Sequence, residues 1–280
     1  MYNSTPLLLL IIFVGYTDIC SAEGNKTHDW DILILTQHWP LTVCLQWKES
    51  LPQHSCNLKN FWTVHGIWPT KLGTKGPEFC NSSMHFNQTQ LEPIEKQLEQ
   101  YWTNIHNGSI YTLWKHEWKK HGTCAATLPA LDTENKYFGQ GLKWIKQYDM
   151  SNILGKSGIE PSNQGHTPQD VWNAVQKSVG KNPTVQCFVD PKTKKTYLFE
   201  IRICFDKNLT LTDCDGIKGP SDPTTGIQTN CPLQKTIIYP SMLPPEYSKP
   251  FYTITTPAYL QHSWLLEALR IIQFLQWVTL

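Results

Sequence analysis

The cysteine content is the feature that most constrains the fold of this chain. Nine cysteines are present in 280 residues, and Cys20 follows an apolar run at residues 7–14 and precedes the small residue Ala22. This pattern predicts a secretory signal peptide, and the run is too short to span a membrane. Cleavage near Ala22 removes Cys20 and leaves eight cysteines, the even number expected of a secreted chain with four disulfides. We therefore predict a disulfide-stapled fold that forms in the lumen of the endoplasmic reticulum.

Glycosylation motifs agree with this route. Asn-x-Ser/Thr sequons begin at Asn25, Asn81, Asn87, Asn107 and Asn208. In a secreted protein such sequons accept N-linked glycans on exposed loops. Their clustering between residues 81 and 109 predicts exposed loops in that part of the chain.

The predicted organisation is a leader, one domain and a tail. Residues 1–22 form the signal peptide, residues 23–249 a single domain without repeats or low-complexity segments, and residues 250–280 an atypical C-terminal tail. Glu267 and Arg270 make the apolar end of this tail too polar for a simple transmembrane helix, so no stable membrane span is expected. An amphipathic helix for a partner or membrane surface and a poorly ordered C-terminus both stay open, and we assign the tail no function.

The charge of the chain excludes one class of protein. The formal net charge is +1, whereas proteins that coat nucleic acid by electrostatics carry a large positive charge. Any polyanion would therefore be bound by a local site.

Apolar patterns predict strands near both ends of the domain and helices between them. Strand-like runs lie at residues 31–37, 61–65, 185–190, 196–205 and, as an edge strand, 236–239. Helical patterns lie at residues 90–102, 113–122, 133–148 and 167–179. Gly66 and Pro69 should end the second strand, whereas Gly122 and Gly180 should cap the second and fourth helices. The predicted fold class is α+β, a mostly antiparallel central sheet flanked by helices in a disulfide-stapled single domain.

The helix predicted at residues 113–122 carries an unusual set of polar side chains. At about 100° per residue, one face contains His116, Glu117, Lys120 and His121, whereas Lys119 points away. Two imidazoles, a carboxylate and an ammonium on one face are able to bind a phosphate and transfer protons.

Two other interpretations of this helix compete with a catalytic one. A lysine-rich helical run is usually a solvated face, but here Trp114 and Trp118 anchor the helix and the ionisable side chains crowd one side. A zinc-binding helix needs His-Glu-x-x-His with its histidines four residues apart, whereas His116 and His121 are five apart. The spacing therefore argues against a metal site.

A second motif, His-Gly-Ile-Trp-Pro at residues 65–69, follows the second strand. Taken alone, the motif is explained equally well by a functional site and by a structural histidine in a turn beside a core tryptophan. Together with His-Glu-Trp-Lys-Lys-His-Gly-Thr-Cys at residues 116–124, it resembles the two active-site segments of the ribonuclease T2 family. The resemblance covers roughly residues 29–240 and includes Gln-His-Trp-Pro at residues 37–40.

This resemblance implies an endoribonuclease that cleaves single-stranded RNA by transesterification, without a metal ion or another cofactor. A base removes the proton of the 2′-hydroxyl, this oxygen attacks the phosphorus, and an acid protonates the departing 5′-oxygen. The implied catalytic residues are His121 as the base, His65 as the acid and Glu117 beside them. The products are a 2′,3′-cyclic phosphate and a free 5′-hydroxyl.

The resemblance also implies how the substrate is bound. His116 and Lys120 would bind the phosphate and neutralise the charge on its nonbridging oxygens. Trp68 and Gln37 would contact the bases, with core packing as the other interpretation of Trp68.

Two departures from the family leave base preference open. The family often has an acid after the Trp-Pro pair, where this chain has Thr70. It also often has an aromatic residue three positions before the first helical histidine, where this chain has Leu113.

Four disulfides are implied by the same resemblance, since cysteine spacing alone does not select a pairing. They are Cys44–Cys56, Cys80–Cys124, Cys187–Cys231 and Cys204–Cys214.

Two other functions compete with the ribonuclease interpretation. A noncatalytic extracellular RNA-binding protein would be expected to lack a catalytic side chain, yet His65, Glu117, Lys120 and His121 are all present. A secreted metal-dependent hydrolase would be inactivated by chelator. We therefore expect a monomeric, secreted or lysosomal ribonuclease with an acidic optimum that acts on single-stranded RNA and not on DNA.

Overall fold

The computed structural model describes residues 28–51, 54–221 and 225–248. The predicted signal peptide, the sequon at Asn25 and the predicted tail lie outside these ranges. The boundaries at residues 22 and 249 therefore stay predictions.

A mostly antiparallel sheet forms the centre of the molecule. Within the described ranges, it contains β1 (Ile32–His38), β2 (Thr63–Thr70), β3 (Gly165–His166), β4 (Thr184–Val189), β5 (Thr196–Phe205), β6 (Leu211–Thr212), β7 (Gln228–Thr229) and β8 (Ile237–Ile238). The main strands are ordered β2-β1-β5-β4-β7, so β2 is an edge strand. β1 is antiparallel to both β2 and β5, and β5 is antiparallel to β4. This architecture confirms the predicted α+β class.

Helices surround the sheet. They are α1 (Pro40–Ser50), α2 (Glu95–Tyr101), α3 (Ile110–Glu117), α4 (Thr123–Ala125), α5 (Glu134–Gln147), α6 (Met150–Gly155), α7 (Pro168–Val179) and α8 (Pro245–Ser248). A 3₁₀ helix at Gln88–Leu91 precedes α2, and a π-helical turn at Trp118–Gly122 joins α3 to α4. None of the helices in the described ranges is long and apolar enough to cross a bilayer.

The two faces of the sheet have different environments because side chains alternate along a strand. Leu35 of β1 and Ile201 of β5 belong to the main hydrophobic core, which also contains residues of α5. Trp144 of α5 stacks on Phe205 of β5 with 3.8 Å between the ring centroids. The other face carries the polar side chains of the same strands beside a smaller apolar cluster that includes Ile34 and Cys204.

Capping residues mark the boundaries of two helices, and the cap predicted at Gly180 is confirmed. Thr133 caps α5 by accepting a hydrogen bond from the backbone N–H of Lys136. Thr167 and Asp170 form a capping box around the start of α7, which ends at Gly180 in the left-handed region with φ 73°.

The prediction that Gly66 and Pro69 end the second strand is wrong. β2 continues through both residues to Thr70. Proline lacks the backbone donor needed inside a sheet, but an edge strand has one side without a neighbour and tolerates it. Pairing rather than composition therefore decides where β2 ends.

Several elements carry no clear sequence signal. α1 begins at Pro40, two residues after the end of β1, with the proline in the first turn of the helix. β3, β6 and β7 have only two residues each, too few for an apolar alternation to be recognised.

Four disulfides staple the described residues, in the pairs that the family resemblance implies. They join Cys44 to Cys56, Cys80 to Cys124, Cys187 to Cys231 and Cys204 to Cys214. The second pair connects the loop before the 3₁₀ helix to α4, directly after the π-helical turn.

The described sequons lie at the surface. Asn81, Asn87, Asn107 and Asn208 are all exposed, as attachment of a glycan requires.

Candidate active site

A β-bulge places His65 on the polar face of the sheet. Thr36 of β1 pairs with Gly66 of β2, but the next residue, Gln37, pairs with Val64. His65 is therefore the extra residue on β2, and a bulge of this kind redirects a side chain. The result is a buried imidazole at the edge of the sheet, with 4% of the residue exposed.

His65 contacts a carboxylate that the sequence analysis did not single out. Its Nδ1 lies 2.6 Å from Oε1 of Glu200 on β5. Because an ionised carboxylate only accepts hydrogen bonds, Nδ1 carries the proton in this pair. Arg202 donates to the other oxygen of Glu200, from Nη2 at 2.7 Å and from Nε at 3.2 Å.

The electrostatics of Glu200 are dominated by these neighbours. Burial alone would raise the pKa of its carboxyl group, but the charges of Arg202 and His65 outweigh burial and lower the pKa to about 2. Glu200 is consequently ionised throughout the pH range in which histidines titrate.

A π-helical turn presents the second polar cluster. The turn at Trp118–Gly122 contains one more residue than an α-helical turn. The extra residue rotates the side chains after it back by about 100° relative to an α-helix. His121 is thereby turned towards the side of the helix that carries His116 and Glu117, whereas Lys119 is exposed as predicted.

The predicted left-handed cap at Gly122 is wrong. Gly122 has φ −58° and ψ −42°, which is right-handed helical geometry. Its glycine is needed for close packing, because a Cβ there would lie 2.2 Å from Cε3 of Trp118. The helix therefore continues through Gly122 into α4.

Glu117 is fully buried beside Trp68. The indole Nε1 of Trp68 donates a hydrogen bond to Oε2 of Glu117 at 3.2 Å. Burial raises the pKa of Glu117 to about 7, so this carboxyl group is protonated in acidic solution. Its Oε1 has no hydrogen-bond partner among the described residues, so this atom could contact a bound substrate.

Trp68 also connects the two histidines. The centroid of its ring lies 5.0 Å from that of His65 and 5.5 Å from that of His121. Burial, followed by the charge of Lys120, lowers the pKa of His121 well below its usual value. His121 is therefore suited to accept a proton, whereas His65 contacts the carboxylate of Glu200.

The phosphate-binding candidates lie on the same helix. Lys120 is buried, with Nζ 3.3 Å from Oε1 of the exposed Glu78. Burial, followed by the charge of Lys120, lowers the pKa of His116 to about 4. Above that pH His116 offers a neutral N–H donor, and Lys120 supplies the positive charge.

A cleft of about 300 Å³ lies beside the site, although His65, His116 and Glu117 do not line it. Trp68, Lys120, His121 and Arg202 line it, and Lys218 adds another cation. The guanidinium of Arg202 lies 5.2 Å from the centre of the Trp68 ring. An aromatic surface beside several cations suits a nucleotide, whose base stacks and whose phosphate is negative.

The structure argues against a base-binding role for Gln37. Its side chain is fully buried, and Nε2 donates to the carbonyl oxygen of Tyr148 at 2.8 Å. Alternation along β1 turns Gln37 towards the helical core and its neighbour His38 towards the site. The His38 ring stacks on His65 with 5.2 Å between centroids.

One group in the described residues has the composition of a metal site. Ligand atoms of His38, His65 and Glu200 lie within 4.8 Å of one another. Two ligands of one tetrahedral zinc ion stand about 3.3 Å apart, whereas Nδ1 of His65 and Oε1 of Glu200 are 2.6 Å apart. We therefore assign this contact to hydrogen bonding and not to metal coordination.

The sequence analysis missed Glu200, Arg202 and His38. Glu200 and Arg202 do leave a weak signal in the sequence. They are charged residues at alternate positions of an otherwise apolar strand, on the face opposite Ile201 and Ile203. Only the pairing of β5 with β1 shows that they meet the histidine motif.

Comparison with known proteins supports this architecture. The model of the ribonuclease T2 family matches residues 30–214. Ribonuclease Oy of Magallana gigas is 37% identical over 219 residues, which cover 76% of this chain and 97% of that protein. Ribonuclease T2-A of Mus musculus is 39% identical over 206 residues, which cover 70% of this chain and 75% of that protein.

Solved structures of related ribonucleases have a similar fold. The crystal structure of human RNase T2 has a TM-score of 0.62 at 32% identity, covering 76% of this chain and 99% of that chain. Ribonuclease MC1 from bitter gourd seeds has a TM-score of 0.63 at 28% identity, covering 75% of this chain and all of that chain. The fold and these similarities define the class of protein as an endoribonuclease. The chain belongs to the ribonuclease T2 family.

Proposed function

We propose that this endoribonuclease cleaves single-stranded RNA by metal-independent transesterification, with His121 as the base and His65 as the acid. The observation that carries the proposal is the contrast between the two imidazoles around Trp68. His121 has a lowered pKa, whereas His65 lies 2.6 Å from a carboxylate. One imidazole is thus suited to accept a proton and the other to donate one, as in-line attack of a 2′-hydroxyl requires.

Glu117 and the cations complete the proposed reaction. In acidic solution Glu117 is protonated and can donate a hydrogen bond to a nonbridging phosphate oxygen, because its pKa is raised to about 7. Lys120 and His116 would stabilise the negative charge that develops on the phosphorane. The products would be a 2′,3′-cyclic phosphate and a 5′-hydroxyl, and an acidic optimum follows from the need to protonate Glu117 and His65.

The mechanism defines the substrate. DNA lacks the attacking 2′-hydroxyl, so it would not be cleaved. We propose that one base stacks on Trp68, where the ring borders the cleft beside Arg202. A duplex would hold its bases away from this ring, and a single strand is therefore favoured.

The proposed route is secretion or delivery to the lysosome. Support comes from the disulfides in the described residues, which form in oxidising compartments, and from the exposed sequons, which we propose are glycosylated. All proposed reacting groups come from a single chain, so we propose a monomer.

The test is cleavage of a single-stranded oligoribonucleotide at acidic and neutral pH in excess chelator. Wild type should release 2′,3′-cyclic phosphates, and His65→Ala and His121→Ala should each slow cleavage by about 10²–10⁴-fold. Lys119→Ala is the matched control, since Lys119 is exposed on the same turn and should cleave normally.

Two results would favour the competing functions. If folded wild type binds RNA but does not cleave it, the chain is an RNA-binding protein. If chelator abolishes cleavage and a divalent ion restores it, the chain is a metal-dependent hydrolase.

A further inference from the structure

We propose that Glu200 is a positioning residue for His65, which it holds in one orientation and one tautomer with the help of Arg202. The inference rests on the function proposed above, because it assigns Glu200 a task in the proton transfer by His65.

The contact between the two side chains is short and shielded. Nδ1 of His65 lies 2.6 Å from Oε1 of Glu200, and the two side chains are 4% and 2% exposed. A charge-assisted hydrogen bond of this length is strong, and little water is present to compete with it. With Nδ1 protonated, Nε2 on the opposite side of the neutral ring carries the lone pair.

Glu200 lies on an inner strand of the sheet. β5 lies between β1 and β4, and Glu200 pairs with His38 on one side and with Gln186 on the other, where the register with β4 then shifts. His65 is the unpaired extra residue of a bulge on the edge strand β2. The contact with Glu200 therefore adds a restraint on the His65 ring that strand pairing does not supply.

Arg202 keeps the carboxylate in place. It binds Oε2 of Glu200 through both Nη2 and Nε, so Oε1 is left for His65. The Arg202 side chain is 18% exposed and borders the cleft. A charged network thus extends from the cleft to the back of the His65 ring.

The charges around His65 act in opposite directions. Glu200 and ionised Glu117 stabilise the imidazolium, whereas protonation of nearby histidines and Lys120 opposes it. The other ionisable groups near this site are His38, His106, His116, Glu117, Lys120 and His121. Among these groups, Glu200 contacts His65 directly, with Oε1 2.6 Å from Nδ1.

The first test measures the imidazole directly, without RNA. Nitrogen-15 spectra of the full-length mature protein, with His65 assigned by comparison with His65→Ala, report which ring nitrogen carries the proton. Neutral His65 should be the Nδ1–H tautomer in wild type and should lose this preference in Glu200→Gln. A mixture of tautomers in wild type would overturn the proposal even if Glu200→Gln did not fold.

The second test measures cleavage across pH. Glu200→Gln should lower kcat about tenfold or more with KM changed less than about twofold, because the buried Glu200 side chain does not line the cleft. The shape of the pH–rate profile should also change, since a charge that faces the reacting imidazole has been removed. Glu200→Asp keeps the charge and should recover part of the rate.

Glu134→Gln is the matched control. Glu134 is a buried carboxyl group bound to the backbone N–H of Asn87, outside the cleft. It should leave both the His65 tautomer and the pH–rate profile unchanged.

The results separate the two proposals. If wild type cleaves RNA and His65→Ala does not, an unchanged tautomer and profile in Glu200→Gln overturn the positioning role alone. A uniform loss of rate at all pH values with an unchanged tautomer also overturns it, because that result indicates a structural role. If wild type does not cleave RNA, the proposed function fails, and the spectra still decide whether Glu200 orients His65.

Discussion

Burial of Glu117 raises the pKa of a carboxyl group to about 7 from 4.5, which links this residue to both stability and activity. The folded chain holds the Glu117 proton more tightly than the unfolded chain does. Wild type should therefore lose stability as the pH rises from 4.5 to about 7. Glu117→Gln should remove this loss and stabilise the protein by up to about 3 kcal/mol near neutral pH, with little effect near pH 4.

Urea unfolding near pH 4 and near pH 7 measures this difference in stability.

Glu117→Gln should also cleave RNA about 10–100-fold more slowly, because an amide replaces the carboxyl group that we propose binds the phosphate. Glu134→Gln is the control, since burial raises the pKa of Glu134 to about 7 as well. That variant should share the stability change and keep wild-type cleavage. The account predicts that the variant exceeds wild type in stability by more at neutral pH than at acidic pH. The opposite order of these two differences would contradict it.

Gly66 is required by the contact between Trp68 and Glu117. A Cβ on Gly66 would lie 2.1 Å from Nε1 of Trp68 and 2.3 Å from Oε2 of Glu117. Gly66→Ala should therefore separate the two side chains and lower kcat by about tenfold or more. Gly139→Ala on α5 is the control, because its Cβ would meet nothing within 4 Å.

Kinetics and thermal unfolding of both glycine variants check this prediction. Gly139→Ala should be as active as wild type and more stable by about 0.5–1 kcal/mol. Wild-type kcat in Gly66→Ala would show that the contact between Trp68 and Glu117 is dispensable.

At the scale of elements, local signals predicted helices better than strand ends. The capping residues Thr133 and Thr167 act through bonds within a few residues, and such signals are legible in a sequence. The end of β2 beyond Pro69 and the bulge at His65 depend on pairing with β1. They are set by a distant segment, so no local pattern contains them.

The π-helical turn is another element that α-helical periodicity misses. An assumed 100° per residue puts His116, Glu117, Lys120 and His121 on one face, but it does not predict that the helix continues through Gly122. The motif is legible because its residue types are unusual, whereas its geometry depends on one extra residue in a turn.

The disulfide between Cys80 and Cys124 should matter for activity as well as stability. It ties the segment that carries Glu78 to the helix directly after His121. Replacing both cysteines with alanine should lower stability by about 2–4 kcal/mol and lower kcat severalfold.

The control is the disulfide between Cys187 and Cys231, which has the same sequence separation of 44 residues. It connects β4 to the segment after β7, at the end of the sheet opposite β2. Its removal should lower stability similarly and leave kcat nearly unchanged in protein that is still folded at the assay temperature. Equal losses of kcat in both double variants would contradict a specific role for Cys80–Cys124.

At the scale of the whole molecule, the strand order brings the site together. His38, His65 and Glu200 come from three adjacent strands that are far apart in the chain. The two motifs made the histidine pair predictable, since each carries its own residue types. Glu200 and Arg202 were not predictable, because nothing near them in sequence indicates which strand lies beside β5.

The central claim is that the 2′-hydroxyl of RNA is the nucleophile. It is tested most directly with an oligodeoxynucleotide that contains a single ribonucleotide, compared with the same strand carrying a 2′-O-methyl group at that position. The account predicts one cut, on the 3′ side of the ribonucleotide, that leaves a 2′,3′-cyclic phosphate, and no cut in the methylated strand. Cleavage of the methylated strand, or a product with a 5′-phosphate, would contradict it.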